Sequence, residues 1–169
     1  MSLLSLDVGF RATGWTVFES GKIRACGVIL TDPATKKTTR NSDDNAFRAA
    51  RIALELKGIC ETYAVQGVVG EMPSGGAQSA RAMAHMALAT GCVAATFSIL
   101  GLPVEWTTPN EVKIAVCGVR AASKDDIMTA IKKRFDFDFP KSKVVFEHIA
   151  DSCGAYLAMR NGNLVKLYG

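Results

Sequence analysis

The order of short apolar segments at the start of the chain most strongly limits what it can fold into. Three segments of β-type composition, 3–8, 13–18 and 22–30, follow one another closely. Glu19-Ser20-Gly21, between the second and the third, is typical of a hairpin turn. Three successive strands at the start of a chain favour a sheet that later elements extend and cover.

Helical and β-type patterns alternate through the rest of the chain. A polar loop over 31–45 precedes a helix whose apolar residues have helical spacing. The later predicted elements are a strand at 67–70, a small-residue helix at 79–100, a strand at 103–107, and helices at 123–134 and 145–160. The element order βββαβαβα predicts an α/β fold, and 169 residues fit one domain over 1–169 with a single core.

Composition is typical of a soluble globular protein, with 49% apolar and 21% charged residues. A net charge of +4 predicts only weak attraction to polyanions. No secretory signal is expected at the N-terminus, and polar residues interrupt the longest apolar stretch, 83–102, so no membrane span is expected. The five scattered cysteines are interpreted as buried reduced thiols. These features together predict a cytoplasmic location.

Two predicted strands end in a carboxylate. Asp7 follows the apolar segment that begins at Leu3, and Glu71 follows Val68-Val69-Gly70. A carboxylate beside a buried strand is costly unless it is paired or binds a metal. One such residue is equally typical of a turn cap, but the repetition favours a shared site.

The last predicted helix carries Glu147, His148 and Asp151. His148 and Asp151 are three apart, and Glu147 and Asp151 are four apart, so either pair can share a helix face. A solvated helix surface is the alternative. Together with the two strand-end carboxylates, Asp151 predicts an oxygen-rich site beside His148, of the kind that Mg²⁺ or Mn²⁺ prefers.

Four segments in the correct order resemble the RuvC family of Holliday-junction resolvases. The segment 6–14 (LDVGFRATG) is similar to that family's DxGxxxTG opening, and Glu71 stands at its second acidic position. Val112-Lys113 and 118–124 (GVRAASK) resemble its paired-lysine region. His148-Ile149-Ala150-Asp151 resembles its terminal metal-binding pair, whose first residue is aspartate in some members and histidine in others.

The resemblance implies an RNase H-like fold with a mixed five-stranded sheet flanked by helices. It implies a homodimer that makes paired nicks in branched DNA by metal-dependent phosphodiester hydrolysis, with two Mg²⁺ or Mn²⁺ ions in each active site. By this resemblance Asp7, Glu71, His148 and Asp151 are catalytic metal ligands, Lys124 is catalytic, and Lys113, Arg11 and Arg120 bind substrate. Glu147 remains the alternative ligand if the helix is rotated.

Two departures from the family pattern affect what is expected. Many members carry an aromatic residue after the second acidic position, where this chain has the segment 72–76 (MPSGG), so the preferred branched substrate is left open. Histidine at position 148 removes one negative charge, and imidazole suits transition metals, which favours Mn²⁺ over Mg²⁺.

Three other functions compete with junction resolution. A related nuclease acting on flaps, forks or RNA–DNA hybrids would use the same fold and metals. An actin-like ATPase or sugar kinase also begins with DxG, but it needs two such domains, so no nucleotide cofactor is expected. An inactive nucleic-acid-binding module is disfavoured because each expected ligand position holds a competent residue.

Overall fold

The computed structural model describes residues 1–35, 38–72 and 79–169. Its strands are β1 (Ser2–Asp7), β2 (Ala12–Glu19), β3 (Lys22–Leu30), β4 (Val65–Glu71) and β5 (Val104–Thr107). Its helices are α1 (Asn41–Tyr63), α2 (Ala80–Ile99), α3 (Pro109–Cys117), α4 (Lys124–Arg134), α5 (Lys143–Ala158) and α6 (Asn163–Tyr168).

The five strands form one mixed sheet, as the family resemblance implied, and their order in the sheet is β3-β2-β1-β4-β5. β1 pairs antiparallel with β2 and parallel with β4, and β5 continues in parallel on the far side of β4. The β2–β3 turn places Ser20 and Gly21 at φ 50° and 75°, which is the backbone of a tight hairpin. The predicted hairpin is therefore confirmed.

Each face of the sheet has its own apolar core. On one face α1 and α2 bury residues such as Ile52, Val93 and Phe97 against β1, β2 and β4. On the other face α4, α5 and α6 pack against the sheet through Ile131, Ile149 and their neighbours. α5 is buried along most of its length, so its position is fixed by the sheet beneath it.

Several element bounds differ from the sequence prediction. α1 begins at Asn41, inside the predicted loop, and places Asp43 and Asp44 in its first turn, where carboxylates stabilise the positive end of the helix dipole. α3 begins at Pro109, where the Pro109-Asn110-Glu111 pattern predicts a helix start, whereas the short α6 follows the predicted stop at Asn161-Gly162 and was not predicted. A capping box between Thr108 and Glu111 starts α3.

α2 is the most apolar helix that the structure describes. Its length and mean hydropathy of 1.5 would suffice for a membrane span by composition, which the sequence prediction had excluded. It nevertheless packs on the sheet and α1 through Ala89, Val93 and Phe97. Only 22% of its apolar window is buried, so most of the helix surface remains exposed.

Candidate active site

The ends of β1 and β4 bring Asp7 and Glu71 side by side. The strands are parallel neighbours, and these two residues are register partners at their carboxyl ends. Side chains alternate along a strand, so register partners lie on the same face of the sheet. Both side chains are partly buried on the face of the sheet that α5 covers. The convergence predicted from the two strand patterns is therefore present.

α5 brings the other two predicted ligands to the same place. Nδ1 of His148 lies 2.9 Å from Oδ2 of Asp7 and forms a hydrogen bond between α5 and β1. Gly14, the β2 partner of Asp7, permits this close approach. A Cβ at Gly14 would lie 2.6 Å from the carbonyl carbon of His148, well inside van der Waals contact.

The four predicted ligands line one cavity of about 460 Å³. Lys113 on α3 and Lys124 at the start of α4 also line it, so both predicted lysines lie beside the carboxylates. Its lining residues are Asp7, Gly9, Ala12, Glu71, Pro109, Val112, Lys113, Ala122, Ser123, Lys124, Ile127, His148 and Asp151.

The predicted substrate residues Arg11 and Arg120 do not line this cavity. Arg11 is exposed and forms an ion pair with Asp32 at 3.1 Å. Arg120 is exposed in the segment between α3 and α4. Any contact that they make with substrate would therefore lie outside the acidic centre.

Burial and the neighbouring negative charges make Glu71 and Asp151 hard to ionise. Burial, followed by the charges of Asp7 and Asp151, raises the pKa of Glu71 from 4.5 to about 8. Burial and the charge of Asp7 also raise the pKa of Asp151 from 3.8 to about 7. The hydrogen bond to Asp7 raises the pKa of His148 despite its burial. A positive charge in the cavity would relieve this repulsion.

Lys124 supplies part of that positive charge. Its Nζ forms an ion pair with Oε1 of Glu147 and lies 4.0 Å from Oδ2 of Asp151. Burial disfavours the charged ammonium, but the bond to Glu147 and the charge of Asp151 outweigh burial and raise the pKa of Lys124. Glu147 thus contacts Lys124 instead of lining the cavity, and α5 turns His148 and Asp151 inward.

The donor set fits a hard divalent cation, although the side chains are not drawn tightly together. In residues 1–35, 38–72 and 79–169, no three His, Cys, Asp or Glu side chains form a preassembled metal-binding group. Like charges that no cation compensates disfavour a closer approach of these carboxylates. The Asp7–His148 bond uses Oδ2 and Nδ1, so Oδ1 and Nε2 remain as donor atoms. Carboxylates with one imidazole suit Mg²⁺ or Mn²⁺.

Some features of the site were not predicted from the sequence. The Lys124–Glu147 pair joins residues that are 23 positions apart, and no local pattern indicates it. Thr13, within the DxGxxxTG-like segment, donates to the carbonyl of Gly9 at 2.7 Å and closes the loop after Asp7. In the segment 72–76, which stands where many family members carry an aromatic residue, Met72 is 36% exposed, and residues 73–76 lie outside the described residues.

Residues 3–154 match the family model described as crossover junction endodeoxyribonuclease RuvC. The chain belongs to the RuvC family. It is 27% identical over 157 residues to the RuvC of Ruegeria pomeroyi, with 92% of each protein covered. It is 28% identical over 158 residues to the RuvC of Rhodopirellula baltica, with 92% of this chain and 86% of that protein covered.

Solved structures of a RuvC protein and of another Holliday junction resolvase have the same fold. Thermus thermophilus RuvC in complex with Holliday junction substrate matches with a TM-score of 0.73 at 18% identity, covering 94% of this chain and 92% of that one. The yeast mitochondrial Holliday junction resolvase matches with a TM-score of 0.67 at 13% identity, covering 98% and 80%. These likenesses confirm the expected RNase H-like fold with a mixed, helix-flanked sheet.

Membership of the RuvC family identifies the activity as well as the fold. The chain is a crossover junction endodeoxyribonuclease, a hydrolase that acts on phosphodiester bonds in branched DNA, and its family depends on divalent metal. The sequence prediction of a RuvC-type nuclease is confirmed at this level.

Proposed function

We propose that this RuvC-family enzyme resolves four-way DNA junctions through one metal site per chain, with Asp7, Glu71, His148 and Asp151 as ligands. The observation that carries the proposal is the meeting of these four side chains in one cavity with Lys113 and Lys124. The chain forms a single nuclease domain over residues 1–169.

The chemistry follows from the charges in the cavity. Asp7, Glu71, His148 and Asp151 would hold two divalent cations, which would supply neutralisation of the phosphate charge and a lower pKa for the attacking water. Lys113 and Lys124 attract and orient the phosphodiester, because their ammonium groups are the cationic side chains that line the cavity. His148 orients Asp7 through its Nδ1 hydrogen bond and donates Nε2 to a cation.

Because histidine replaces a carboxylate in this donor set, Mn²⁺ supports faster cutting than Mg²⁺. Arg11 and Arg120 contact DNA phosphates away from the cut, which positions the duplex arms without reading bases. Pairing of two chains supplies two sites and therefore paired nicks.

α2 carries the surface that supports the homodimer. Besides the exposed Met83 and Ile99 near its ends, α2 exposes a row of small residues that share one face at helical spacing, which allows close helix packing. They are Ala84, Ala87, Gly91, Ala94, Ala95 and Ser98. A second copy would cover this apolar face, which the chain leaves open to water.

The experiment that tests this function is a cutting assay with labelled four-way junction, fork, flap, linear duplex and RNA–DNA hybrid. We expect symmetric nicks in the four-way junction only, more rapid with Mn²⁺ than with equal Mg²⁺, and none with EDTA. Asp7→Asn should lower cutting by at least about a thousandfold, a loss of about 4 kcal/mol of transition-state stabilisation.

An exposed carboxylate on α1 supplies the matched control for this variant. Glu61→Gln also removes one acidic charge, but Glu61 pairs with Lys57 far from the cavity, and cutting should be unchanged. Preferential cutting of forks, flaps or hybrids would support the related nucleases instead. An Asp7→Asn protein that cuts normally would exclude this set of metal ligands.

A further inference from the structure

Three hydroxyl side chains are completely buried between the sheet and α5. They belong to Ser5 on β1, Thr16 on β2 and Ser152 on α5, each 0% exposed. Buried hydroxyls are costly unless they are hydrogen-bonded, and apolar side chains would fill the same space without that cost. Their presence beneath the cavity therefore needs an explanation beyond packing.

The three residues join the sheet to α5 by hydrogen bonds with a defined direction. Ser5 Oγ donates to the carbonyl of Ser152 at 2.6 Å. Ser152 Oγ donates its single hydrogen to the carbonyl of Ile149 at 2.8 Å. Thr16 Oγ1 must therefore be the donor in its 2.6 Å bond to Ser152 Oγ. The Cys153 thiol, 3.5 Å from Thr16 Oγ1, then completes the chain as a donor.

These bonds hold the helical turn that carries the α5 ligands. Ile149 lies within the His148–Asp151 turn, and Ser152 directly follows it. The bond from the Ser152 hydroxyl to the Ile149 carbonyl therefore lies in the part of α5 that carries the predicted ligands His148 and Asp151. On the sheet, Ser5 pairs with Thr16 and lies two residues before Asp7. Side chains two apart share a face of a strand, so the hydroxyl cluster lies directly below the carboxylates.

We propose that Ser5, Thr16 and Ser152 are positioning residues that set the height and register of α5 above the sheet. Apolar contacts are non-directional and tolerate small sliding of a helix, whereas short hydrogen bonds to one turn do not. The cluster fixes where His148 and Asp151 stand relative to Asp7 and Glu71, and through them it sets metal affinity. This inference rests on the proposed ligand set.

The test compares Thr16→Val with Thr16→Ser in the full-length protein. Valine keeps the shape of threonine but removes the hydroxyl, and serine restores the hydroxyl. Mn²⁺ affinity is measured without DNA by titration calorimetry, and kcat and KM are measured on the four-way junction. We expect Thr16→Val to weaken Mn²⁺ binding by roughly 10- to 100-fold, as for other residues that orient metal ligands. kcat should fall while KM changes little, and Thr16→Ser should recover most of both losses.

Thr96→Val is the matched control. Thr96 is also a buried threonine, but its hydroxyl donates to the carbonyl of Cys92 within α2, on the opposite face of the sheet. Thr96→Val should lower the melting temperature by about as much as Thr16→Val does, without changing Mn²⁺ affinity. If Thr16→Val does not fold, Ser152→Ala makes the same test, because it removes the hydroxyl and adds no atoms.

The outcomes separate this inference from the proposed function. Wild-type protein that neither binds Mn²⁺ nor cuts junctions would overturn the proposed metal site. Wild-type protein that binds Mn²⁺, with folded Thr16→Val or Ser152→Ala binding it equally well, would overturn the positioning role alone. Equal losses of Mn²⁺ affinity in Thr96→Val and Thr16→Val would also overturn the positioning role, because general destabilisation would then account for the loss.

Discussion

Glu71 and Asp151 retain their protons to a higher pH than ordinary carboxyl groups. Burial and the neighbouring negative charges raise their pKa values to about 8 and about 7. Such shifts cluster at functional sites, because a buried carboxylate that is placed to bind a cation is disfavoured in its charged form when the cation is absent. These two residues therefore connect the electrostatics of the site to the stability of the protein.

In the metal-free protein, the free energy of unfolding should fall as pH rises from about 4 to about 8. Unfolded Glu71 and Asp151 release their protons near their ordinary pKa values, 4.5 and 3.8, while the folded residues still hold theirs. The unfolded state therefore binds fewer protons across this window, and stability is lost as pH rises. Denaturant titrations in EDTA at pH 5 to 8 measure the fall.

Divalent metal should reverse this trend, so that Mg²⁺ or Mn²⁺ stabilises the protein more at pH 8 than at pH 5. A Glu71→Gln/Asp151→Asn protein, which has no such protons to lose, should show a flatter profile in EDTA. Equal slopes for the variant and the wild type would contradict the assignment of the pH dependence to this pair.

At the scale of elements, α5 determines whether the site forms. Its backbone comes so close to β2 at Gly14 that no side chain fits there. The φ of Gly14 is not in the left-handed region, so its backbone conformation does not require glycine. The close approach of the helix is what requires glycine at this position. The contact lies opposite Asp7 in the β1–β2 register, next to the His148 hydrogen bond.

Gly14→Ala should move α5 away from the sheet, lower stability by about 1–3 kcal/mol and strongly reduce cutting. Gly58→Ala is the control, because Gly58 lies within α1 with nothing near its missing Cβ. There alanine should raise stability by about 0.5–1 kcal/mol through its higher helix propensity and leave cutting unchanged. Thermal melts and junction assays measure both; a Gly14→Ala protein with normal cutting would contradict this role of the close contact.

The sequence predicted the strand ends better than it predicted the contacts between elements. Asp7 and Glu71 were found because an apolar strand that ends in a carboxylate is a local pattern. The start of the helix predicted over 123–134 agrees with the structure for the same reason, since Ser123 caps α4. The Thr16–Ser152 and Lys124–Glu147 bonds join residues 136 and 23 positions apart, and their partners are decided by how the helices pack. Family resemblance, and not spacing, indicated Lys113.

At the scale of the whole molecule, the exposed apolar surface of α2 supports the proposed homodimer. Its exposed small residues would allow two helices to pack closely across a twofold axis. The acidic cavity lies by contrast on the side of the sheet where α5 packs. Pairing through α2 would therefore leave both cavities open to DNA.

Gly91→Arg should convert the proposed dimer into a monomer of 18.0 kDa, because it places a charged side chain on the exposed α2 face. Light scattering after size exclusion measures the mass. Gly58→Arg, also at an open glycine within a helix, should leave the dimer intact. Wild-type protein that remains monomeric at micromolar concentration would contradict the proposed dimer.

The parallel pairing of β1 with β4 has a consequence for how the gene can change. Because Asp7 and Glu71 are matched across two strands, inserting or deleting one codon within 3–7 or 67–71 would turn a carboxylate toward the opposite face. Substitutions along these strands leave that alignment intact, whereas length changes do not. Homologues that diverge widely in sequence should therefore align across both strands without gaps.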